Sequence, residues 1–369
     1  MTGLRMFSFS LIVLLISIKL VAQIDSTGIS GITQSDTSTE SINDTLFIEN
    51  DFFENDNPFH CTMKFDIKSY QKNKYQGKYI PVKMTYCDLD SIPVEKEFRV
   101  KARGNFRRKH CGLPPLWLNI RKAELKIDQF NEVKKMKVVT HCRGGKSYNQ
   151  YVLKEYLAYK IYNLISPYSF RVRLAEIKYV DTGRKNKTYT FWAFIIEPET
   201  MMAERNKAIS IKTDNLSNFH TDSVATDIMA LYQYMIGNAD YSITGRHNIK
   251  LIKEDNPFSF YPIPVPYDFD YSGLVNAYYA VPSETLGIEK VTERYFLGPC
   301  RSEMEYQKAL SVITEKEDLI IKLVKEFSPL NEKDKNEMLR YLQSFFERVR
   351  SSHFISGELL STCRKPSLN

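Results

Sequence analysis

Beyond its N-terminus the sequence lacks any apolar run long enough to cross a membrane, which excludes a multi-span transporter or channel. It also lacks a strong charge of either sign, because 51 Lys and Arg face 44 Asp and Glu for a formal net charge of +7. The basic residues are dispersed, so we expect no nucleic-acid partner. Glycine and proline are sparse at 15 each, and 43% of the residues are hydrophobic. This composition excludes collagen-like and wholly disordered chains and predicts a globular protein.

The one strongly apolar segment has the organisation of an export signal. Arg5 precedes the short apolar run Phe7–Ile18, and Ala22 offers small-residue cleavage before Gln23. A retained membrane anchor is the alternative, but the run is shorter than the roughly 20 residues that a spanning helix needs. We therefore predict a signal peptide over residues 1–22 and a mature protein in the periplasm or outside the cell, with no transmembrane span. Its formal charge is +5, because residues 1–22 carry two basic residues and no acidic ones.

The cysteines show no CxxC or CxxH spacing, so we expect no structural zinc site. An even number in an exported chain permits disulfides, and six cysteines allow 15 pairings: Cys61, Cys87, Cys111, Cys142, Cys300 and Cys363. Buried free thiols are an equal alternative for some of them. We predict at least one disulfide in the N-terminal half and choose Cys111–Cys142, since both residues flank predicted strands.

The pattern of apolar residues divides the mature chain into three parts. Residues 23–56 are rich in Ser, Thr, Asp and Asn and predict a flexible linker. Residues 57–198 alternate apolar and polar side chains in several short runs, which is typical of strands. Residues 199–369 carry longer helical stripes. A run of strands followed by a run of helices predicts an α+β fold, with an antiparallel-sheet N-lobe and a mainly helical C-lobe.

Three helices are marked by their start signals. Ser147 and Gln150 have the spacing of a capping box before a helix predicted over residues 147–164. Asp222 and Asn331 are predicted N-caps of two helices in the C-terminal half.

Three segments carry residues suited to chemistry. The first is Arg103-Gly-Asn105, the second GNADYSITGRHN contains Asp240 and Asn248, and the third PYDFDYSG contains Asp268 and Asp270. Carboxylate and amide oxygens on such turns suit Mg²⁺ or Mn²⁺ and not zinc. Phosphoryl transfer needs one carboxylate that orients the attacking hydroxyl and further oxygens that hold the metal.

In the order of these motifs the chain resembles the CotH kinase-like family, whose founding members are spore-coat protein kinases. The resemblance covers residues 63 to about 300 and implies a two-lobed, atypical kinase fold that binds ATP with Mg²⁺ or Mn²⁺. It implies that Asp240 is the catalytic carboxylate, that Asn248 and Asp268 are metal ligands, and that Asp270 neighbours the metal. The implied substrate is a hydroxyl group, with an envelope protein as candidate acceptor.

The sequence departs from the family pattern in its nucleotide-binding region. The family carries a lysine soon after the RGN turn, whereas this chain has CGLPPLWL there. Arg103, Lys135 and Lys137 are the candidate replacements, and Glu155 is the helix residue that would orient such a lysine. No G-x-G-x-x-G loop is present.

Several alternatives stay open at this stage. The chain could be a non-catalytic binding protein of the cell envelope, which the missing lysine and the scarcity of ATP outside the cytoplasm favour. A glycosidase that uses Asp268 and Asp270 is weaker, because residues two apart on one strand lie too close together. Asp240 or Asp268 could simply form a turn. Lys137 could be a surface or strand-edge lysine, Glu155 a solvated helix residue, and His247 a structural hydrogen-bonding group.

Overall fold

The computed structural model describes residues 52–87, 91–120, 134–213 and 215–366. The predicted signal peptide and nearly all of the predicted linker lie outside these residues. The described residues belong to one compact unit, Glu49–Asn369. Among the helices of these ranges, none combines the length and the apolar character that crossing a membrane requires.

Seven strands of the described chain close into a barrel in the order β1-β2-β3-β4-β5-β7-β6. Their bounds are β1 (Phe59–Phe65), β2 (Ile80–Cys87), β3 (Pro93–Ala102), β4 (Leu116–Asn119), β5 (Lys135–Val139), β6 (Val172–Asp181) and β7 (Lys187–Ile196). Neighbouring strands run antiparallel except β1 and β6, which run parallel, with Phe59 opposite Ala175 and Phe65 opposite Asp181. The sheet is therefore antiparallel as predicted in all but this one pairing. The sequence pattern did not predict its closure, because the two strands that close it lie far apart in the chain.

Alternation of side chains places one face of each strand inside the barrel. In β3, Phe98, Val100 and Ala102 are buried while the residues between them are more exposed, which is the period of two that the sequence shows. Equivalent residues of the other strands join them in one apolar cluster. The interior is thus a packed core and not a channel.

The helices lie mostly in the second half of the chain. Their bounds are α1 (Ile67–Lys72), α2 (Phe106–His110), α3 (Lys146–Ile165), α4 (Glu199–Arg205), α5 (Ser223–Met235), α6 (Glu303–Thr314), α7 (Glu317–Glu326), α8 (Glu332–Val349) and α9 (Leu360–Thr362). A π-helical turn covers Ile355–Leu359, and three 3₁₀ turns cover Thr182–Arg184, Asn218–His220 and Glu284–Leu286. The predicted caps Asp222 and Asn331 are present, and their side chains accept hydrogen bonds from the first turns of α5 and α8. The predicted capping box of α3 is wrong, because that helix begins at Lys146 after Gly145 with no side-chain cap.

A small second sheet lies in the half of the chain that was predicted to be mainly helical. Its three strands are β8 (Ala208–Ile211), β9 (Ile249–Glu254) and β10 (Ile263–Pro266), all antiparallel. Helix α5 packs on β10 and α6, and α3 packs on β6 and β7. The second apolar core lies between these elements. The chain is thus a mixed helix-and-sheet protein, and the division of its lobes at residue 198 stays a prediction.

Two disulfides connect distant parts of the chain. Cys111 and Cys142 are bonded with Cα atoms 4.5 Å apart, which confirms the predicted pair. Cys300 and Cys363 form the second bond, with Cα atoms 4.8 Å apart. The thiols of Cys61, which is buried, and Cys87, which is exposed, are free.

Candidate functional site

A cavity of about 440 Å³ brings the predicted acidic residues together. It is lined by Asp240, Asn248, Asp268 and Asp270, and Arg103 lies on its wall as well. We call it the acidic cavity.

Pairing between β9 and β10 explains why Asn248 and Asp268, which are 20 positions apart in the sequence, line the same cavity. Ile249, the first residue of β9, lies opposite Pro266, the last residue of β10. The N–H of Tyr267 donates to the carbonyl of Asn248 at 3.0 Å, which extends the ladder by one step. Asn248 and Asp268 therefore flank the same end of one antiparallel pair.

Both of these residues have left-handed backbone conformations, with φ of 53° at Asn248 and 66° at Asp268. Asn and Asp tolerate this conformation better than other residues with a side chain, and it recurs where function holds a residue in place. The N–H of Asp268 donates to the hydroxyl of Tyr159 at 2.8 Å, so α3 fixes the turn from beneath.

The carboxylate of Asp240 is held at both oxygens. The Nδ2 of Asn248 donates to Oδ2 at 3.0 Å and to the carbonyl oxygen of Asp240 at 2.8 Å. The Nε2 of His247 lies 2.8 Å from Oδ1, and this hydrogen bond raises the pKa of His247. An amide binds a cation through its oxygen, and the Asn248 nitrogen faces Asp240, so Oδ1 is the atom available to a cation.

Arg107 is the main residue that the sequence analysis missed. Its Nε lies 2.7 Å from Oδ2 of Asp270, and its Nη2 lies 2.6 Å from Oε2 of Glu155 and 3.6 Å from Oδ1 of Asp268. Burial lowers the pKa of Arg107, but these carboxylates outweigh it and the net shift is upward. The only sequence signal was the basic run that follows the RGN turn.

This geometry corrects two expectations about Glu155. The residue is not solvated, since it is 2% exposed, and the cation that its carboxylate contacts within the described residues is Arg107 and not a lysine. Burial raises the pKa of Glu155, while Arg107 opposes that shift. Its second oxygen, Oε1, has no hydrogen-bond partner within the described ranges.

Three carboxylates, those of Glu155, Asp268 and Asp270, have oxygens within 4.8 Å of one another, which is a spacing that can hold a metal. The guanidinium of Arg107 already lies between Glu155 and Asp270, and the Tyr279 hydroxyl adds a bond of 2.9 Å to Asp270 Oδ2. Among the described residues, the side chain of Asp268 has the longer 3.6 Å contact to Arg107 as its ion pair, and it is 34% exposed. Of the three carboxylates, that of Asp268 is therefore the one most available to a cation.

Lys137 lies beside the cavity in an unusual environment. Its Nζ is 4.6 Å from the ring centroid of Tyr267, a residue that lines the acidic cavity. Burial, with help from Arg103 and Lys250, lowers the pKa of Lys137 to about 7. Lys137 is half-buried, and its strand β5 is paired on both sides, so the strand-edge alternative for this residue is wrong. The third candidate, Lys135, packs its Nζ 3.8 Å over the ring of Trp117.

A smaller cavity of about 250 Å³ adjoins the acidic cavity. The two share Asp240 and Tyr271 in their walls, and the rest of the smaller lining is largely apolar, including Val281 and Val291. We call it the side cavity.

No protein-family model matches the sequence, and no curated protein matches it. The solved structures that are similar to the chain include a Helicobacter pylori proinflammatory kinase, CtkA. That structure is 12% identical, covers 67% of this chain and 91% of its own, and has a TM-score of 0.38. A similarity of this size carries no argument, so membership of the CotH kinase-like family stays a prediction.

Proposed function

We propose that the chain is a kinase-like phosphotransferase that moves the γ-phosphoryl group of ATP to a hydroxyl group in the acidic cavity, with Mg²⁺ or Mn²⁺. The observation that carries the proposal is the meeting of Asp240, Asn248 and Asp268 in one cavity whose wall also contains Arg103. The proposal includes two lobes, 57–198 and 199–369, because the cavity takes Arg103 and Arg107 from the first range and its proposed oxygen ligands from the second.

Each oxygen-bearing residue has a proposed role that its contacts support. Asp268 and Oδ1 of Asn248 would hold the cation, which neutralises the charge of the phosphates. Asp240 would orient the acceptor hydroxyl and accept its proton. Its carboxylate is already fixed by His247 and Asn248, so little ordering would be needed when a substrate arrives.

Positive charge near the phosphates would come from Arg103 and Lys137. Lys137 has a pKa near 7, so an anionic ligand beside it would favour its charged form. Arg107 is buried and paired with carboxylates, which makes it a positioning residue for Asp268 and Asp270 and not a phosphate ligand. Glu155 would act by orienting Arg107.

The lining of the side cavity supports an acceptor with an apolar group near its hydroxyl. Its apolar residues lie next to Asp240, so the hydroxyl would be presented by a chain with an apolar group beside it. A protein of the cell envelope remains the candidate acceptor. The two disulfides are compatible with an exported protein, because such bonds persist in oxidising compartments.

The second candidate function is a non-catalytic binding protein that keeps the cavity. The pairing of Arg107 with Glu155 and Asp270 favours it, because an internal cation already neutralises part of the acidic cluster. The glycosidase alternative loses support, since Asp270 is tied to Arg107 and is 5% exposed.

The test is binding of a non-hydrolysable ATP analogue by titration calorimetry, with and without Mg²⁺, followed by ADP release from ATP. We expect Asp268→Ala to abolish Mg²⁺-dependent binding. Asp240→Ala should leave binding within about twofold and remove turnover, because it acts on the acceptor hydroxyl. Asp255→Asn, an exposed residue one position beyond β9, is the matched control and should change neither.

Three outcomes decide between the candidates. Binding that needs both Mg²⁺ and Asp268, with turnover that needs Asp240, supports the phosphotransferase. Metal-dependent binding without any turnover supports the binding protein. No binding of the analogue by the unaltered protein rules out the nucleotide for both.

A further inference from the structure

The hairpin of β9 and β10 ends in a loop that is anchored at its base. The N–H of Asp255, just after β9, donates to the carbonyl of Lys207 at 2.9 Å. The carbonyl of Pro262, just before β10, accepts the N–H of Asp222 at 2.8 Å. Residues 256–261 lie between these two anchors, and we call them the aromatic tip. The anchors hold the tip at one place on the molecule.

Three aromatic side chains of the aromatic tip are exposed. Phe258 is 81% exposed, Phe260 is 74% exposed and Tyr261 is 53% exposed. Among the large hydrophobic residues of the described chain, Phe258 has the greatest exposure. Single apolar side chains on a surface are common, whereas a cluster of them marks a place where another molecule binds.

The aromatic tip has no charged side chain and needs few partners for its backbone. From Asn256 to Tyr267 the sequence contains no charged residue. Pro257 has no N–H, and the N–H groups of Phe258 and Ser259 donate to the side-chain and backbone oxygens of Asn256, both at 3.0 Å. Three of the six residues therefore need no outside acceptor for a backbone N–H.

This economy of donors favours lipid over a protein as the partner. A segment that enters lipid must satisfy its polar groups internally, because hydrocarbon offers no hydrogen-bonding partner. A protein surface supplies acceptors of its own and does not require such a loop.

Charges at the base of the aromatic tip nearly balance. The residues that flank it in the chain or at its anchors supply two positive and three negative charges: Lys207, Lys253, Asp222, Glu254 and Asp255. Such a base offers no strong field to a nucleic acid or to a highly charged protein. An apolar layer beneath neutral headgroups matches an uncharged tip on a balanced base.

From these features we propose that the aromatic tip docks the protein on the surface of a lipid bilayer. Phe258 and Phe260 enter the boundary between the headgroups and the acyl chains, and Tyr261 keeps its hydroxyl among the headgroups. The charged residues at the base stay in water. The protein lies on the membrane by this loop and does not span it with the loop.

The aromatic tip lies away from the acidic cavity. Asn248 precedes the six residues of β9 and the tip follows them, so about 20 Å of strand separates the two. The tip shares no residue with the lining of the acidic cavity. The docking proposal is therefore independent of the phosphotransferase proposal, and loss of docking should leave nucleotide binding unchanged.

The test is co-sedimentation with phosphatidylcholine vesicles at rising lipid concentration. The protein is the chain from Gln23 onward, which contains the whole compact unit Glu49–Asn369. It omits the apolar run Phe7–Ile18, which would itself bind lipid. Raising NaCl from about 0.1 M to about 0.5 M should change partitioning by less than about twofold, because insertion of uncharged rings is not screened by salt. Loss of binding at the higher salt concentration would contradict the proposal.

Two substitutions and one matched control locate the contact. We expect Phe258→Ser and Phe260→Ser each to weaken partitioning about tenfold, because each removes one inserted ring. Tyr75 is an aromatic residue of comparable exposure, 57%, in the turn after α1. Tyr75→Ser should therefore change partitioning by less than about twofold.

A second measurement separates insertion from adsorption on the surface. Phe258→Trp should keep partitioning, and the added indole should show blue-shifted emission and quenching by lipids brominated on their acyl chains. The unaltered chain, with Trp117 and Trp192, supplies the baseline. Tyr75→Trp should show neither change.

Four results would overturn the proposal. The unaltered chain does not sediment with vesicles at millimolar lipid, or Tyr75→Ser weakens partitioning as much as Phe258→Ser. The indole of Phe258→Trp is not quenched by the brominated lipids. Sedimentation velocity shows a dimer that Phe258→Ser dissociates, because the tip then binds a second copy of the chain and not a bilayer.

Discussion

At the scale of single residues, the balance of charge around Arg107 governs the candidate site. One guanidinium faces three carboxylates, and two of these are almost fully buried. Removing one partner of such a cluster leaves charges that neither water nor another side chain compensates, which costs more than the cluster itself contributes to stability.

We therefore expect Arg107→Gln to lower the free energy of unfolding by about 3–5 kcal/mol. Urea denaturation at pH 7 measures this change. Lys109→Gln, an exposed residue of the same short helix, is the control and should change stability by less than about 0.5 kcal/mol. A loss below about 1 kcal/mol for Arg107→Gln would show that the carboxylates find other compensation.

The burial of His141 predicts that the free energy of unfolding falls as the solution becomes acidic. Burial lowers its pKa from 6.5 to about 4, so the unfolded chain takes up a proton at a higher pH than the folded protein does. The stabilising effect of the neutral ring is therefore fully present above about pH 6.5 and is lost as the pH falls toward 4, by up to roughly 3 kcal/mol.

Urea denaturation at pH 7.0 and pH 4.5 tests this dependence with three proteins. His141→Gln should reduce the difference in the free energy of unfolding between the two pH values, because the new side chain does not titrate. His220→Gln, at an exposed position, should keep the difference of the unaltered protein. If both variants show the same pH dependence as the parent, His141 does not cause it.

The oxygen-bearing residues could be predicted from the sequence, but their basic partner could not. Asp240, Asn248 and Asp268 stand in short segments whose composition is unusual on its own. Arg107 stands in an ordinary basic run, and its partners Glu155 and Asp270 lie 48 and 163 residues further along the chain. No local pattern encodes a pairing over such a distance, so the sequence predicted one of the candidate lysines, Lys135 or Lys137, beside Glu155 instead.

At the scale of elements, the turn that follows α5 determines the position of the segment that contains Asp240. Gly237 has φ of +64°, and a Cβ added there would collide with the hydroxyl of Tyr341. Its carbonyl also accepts the N–H of Gly273 at 3.0 Å, which connects the segment of Asp240 to the segment of Asp270. Close approach of these two segments therefore depends on the absence of a side chain.

Gly237→Ala tests this dependence against Gly77→Ala. Both glycines have φ of +64°, but nothing lies within 4 Å of a Cβ added at Gly77. We expect about 1–2 kcal/mol of destabilisation at Gly77 from backbone strain alone, and about 1–3 kcal/mol more at Gly237 from the collision. Thermal unfolding of both variants gives the comparison, and equal losses would contradict a close approach at Gly237.

Periodicity predicted most of these elements, because each strand or helix has one apolar face that its own residues reveal. The strands β3 and β4 and the helices α3, α5 and α8 lie where the pattern placed them. The strands β8 and β10 of the small sheet were not predicted, because each has four residues, too few to show a period. The closure of the barrel was not predicted for a different reason, since tertiary packing decides the order of strands in a sheet.

At the scale of the whole molecule, the two disulfides divide the six cysteines into three classes. Four are bonded, Cys61 is buried and Cys87 is exposed. Burial also raises the pKa of Cys61 to about 12, which suppresses the reactive thiolate. The pair Cys300–Cys363 was not predicted, because fifteen pairings are open to six cysteines and sequence offers no way to rank them.

Thiol alkylation followed by mass spectrometry checks this arrangement. We expect the folded, unreduced protein to be labelled at Cys87 alone, since it is the exposed free thiol. Denaturation without reductant should add Cys61, and reduction should add the other four. Cys87→Ser is the control and should abolish labelling of the folded protein. Rapid labelling of Cys111 or Cys300 before reduction would contradict the disulfides.

The parallel pairing of β1 with β6 has a consequence for how the chain reaches this fold. Phe59 must find Ala175, so the barrel cannot close until more than a hundred further residues are available. Contacts between segments so distant in the chain slow folding, because a large loop loses its freedom before the pairing rewards it. During synthesis β1 therefore keeps one edge unpaired until β6 has been made. An unpaired strand edge can pair with other chains. A chain that ends before Val172 should aggregate, whereas one that extends past Ile196 can close its barrel.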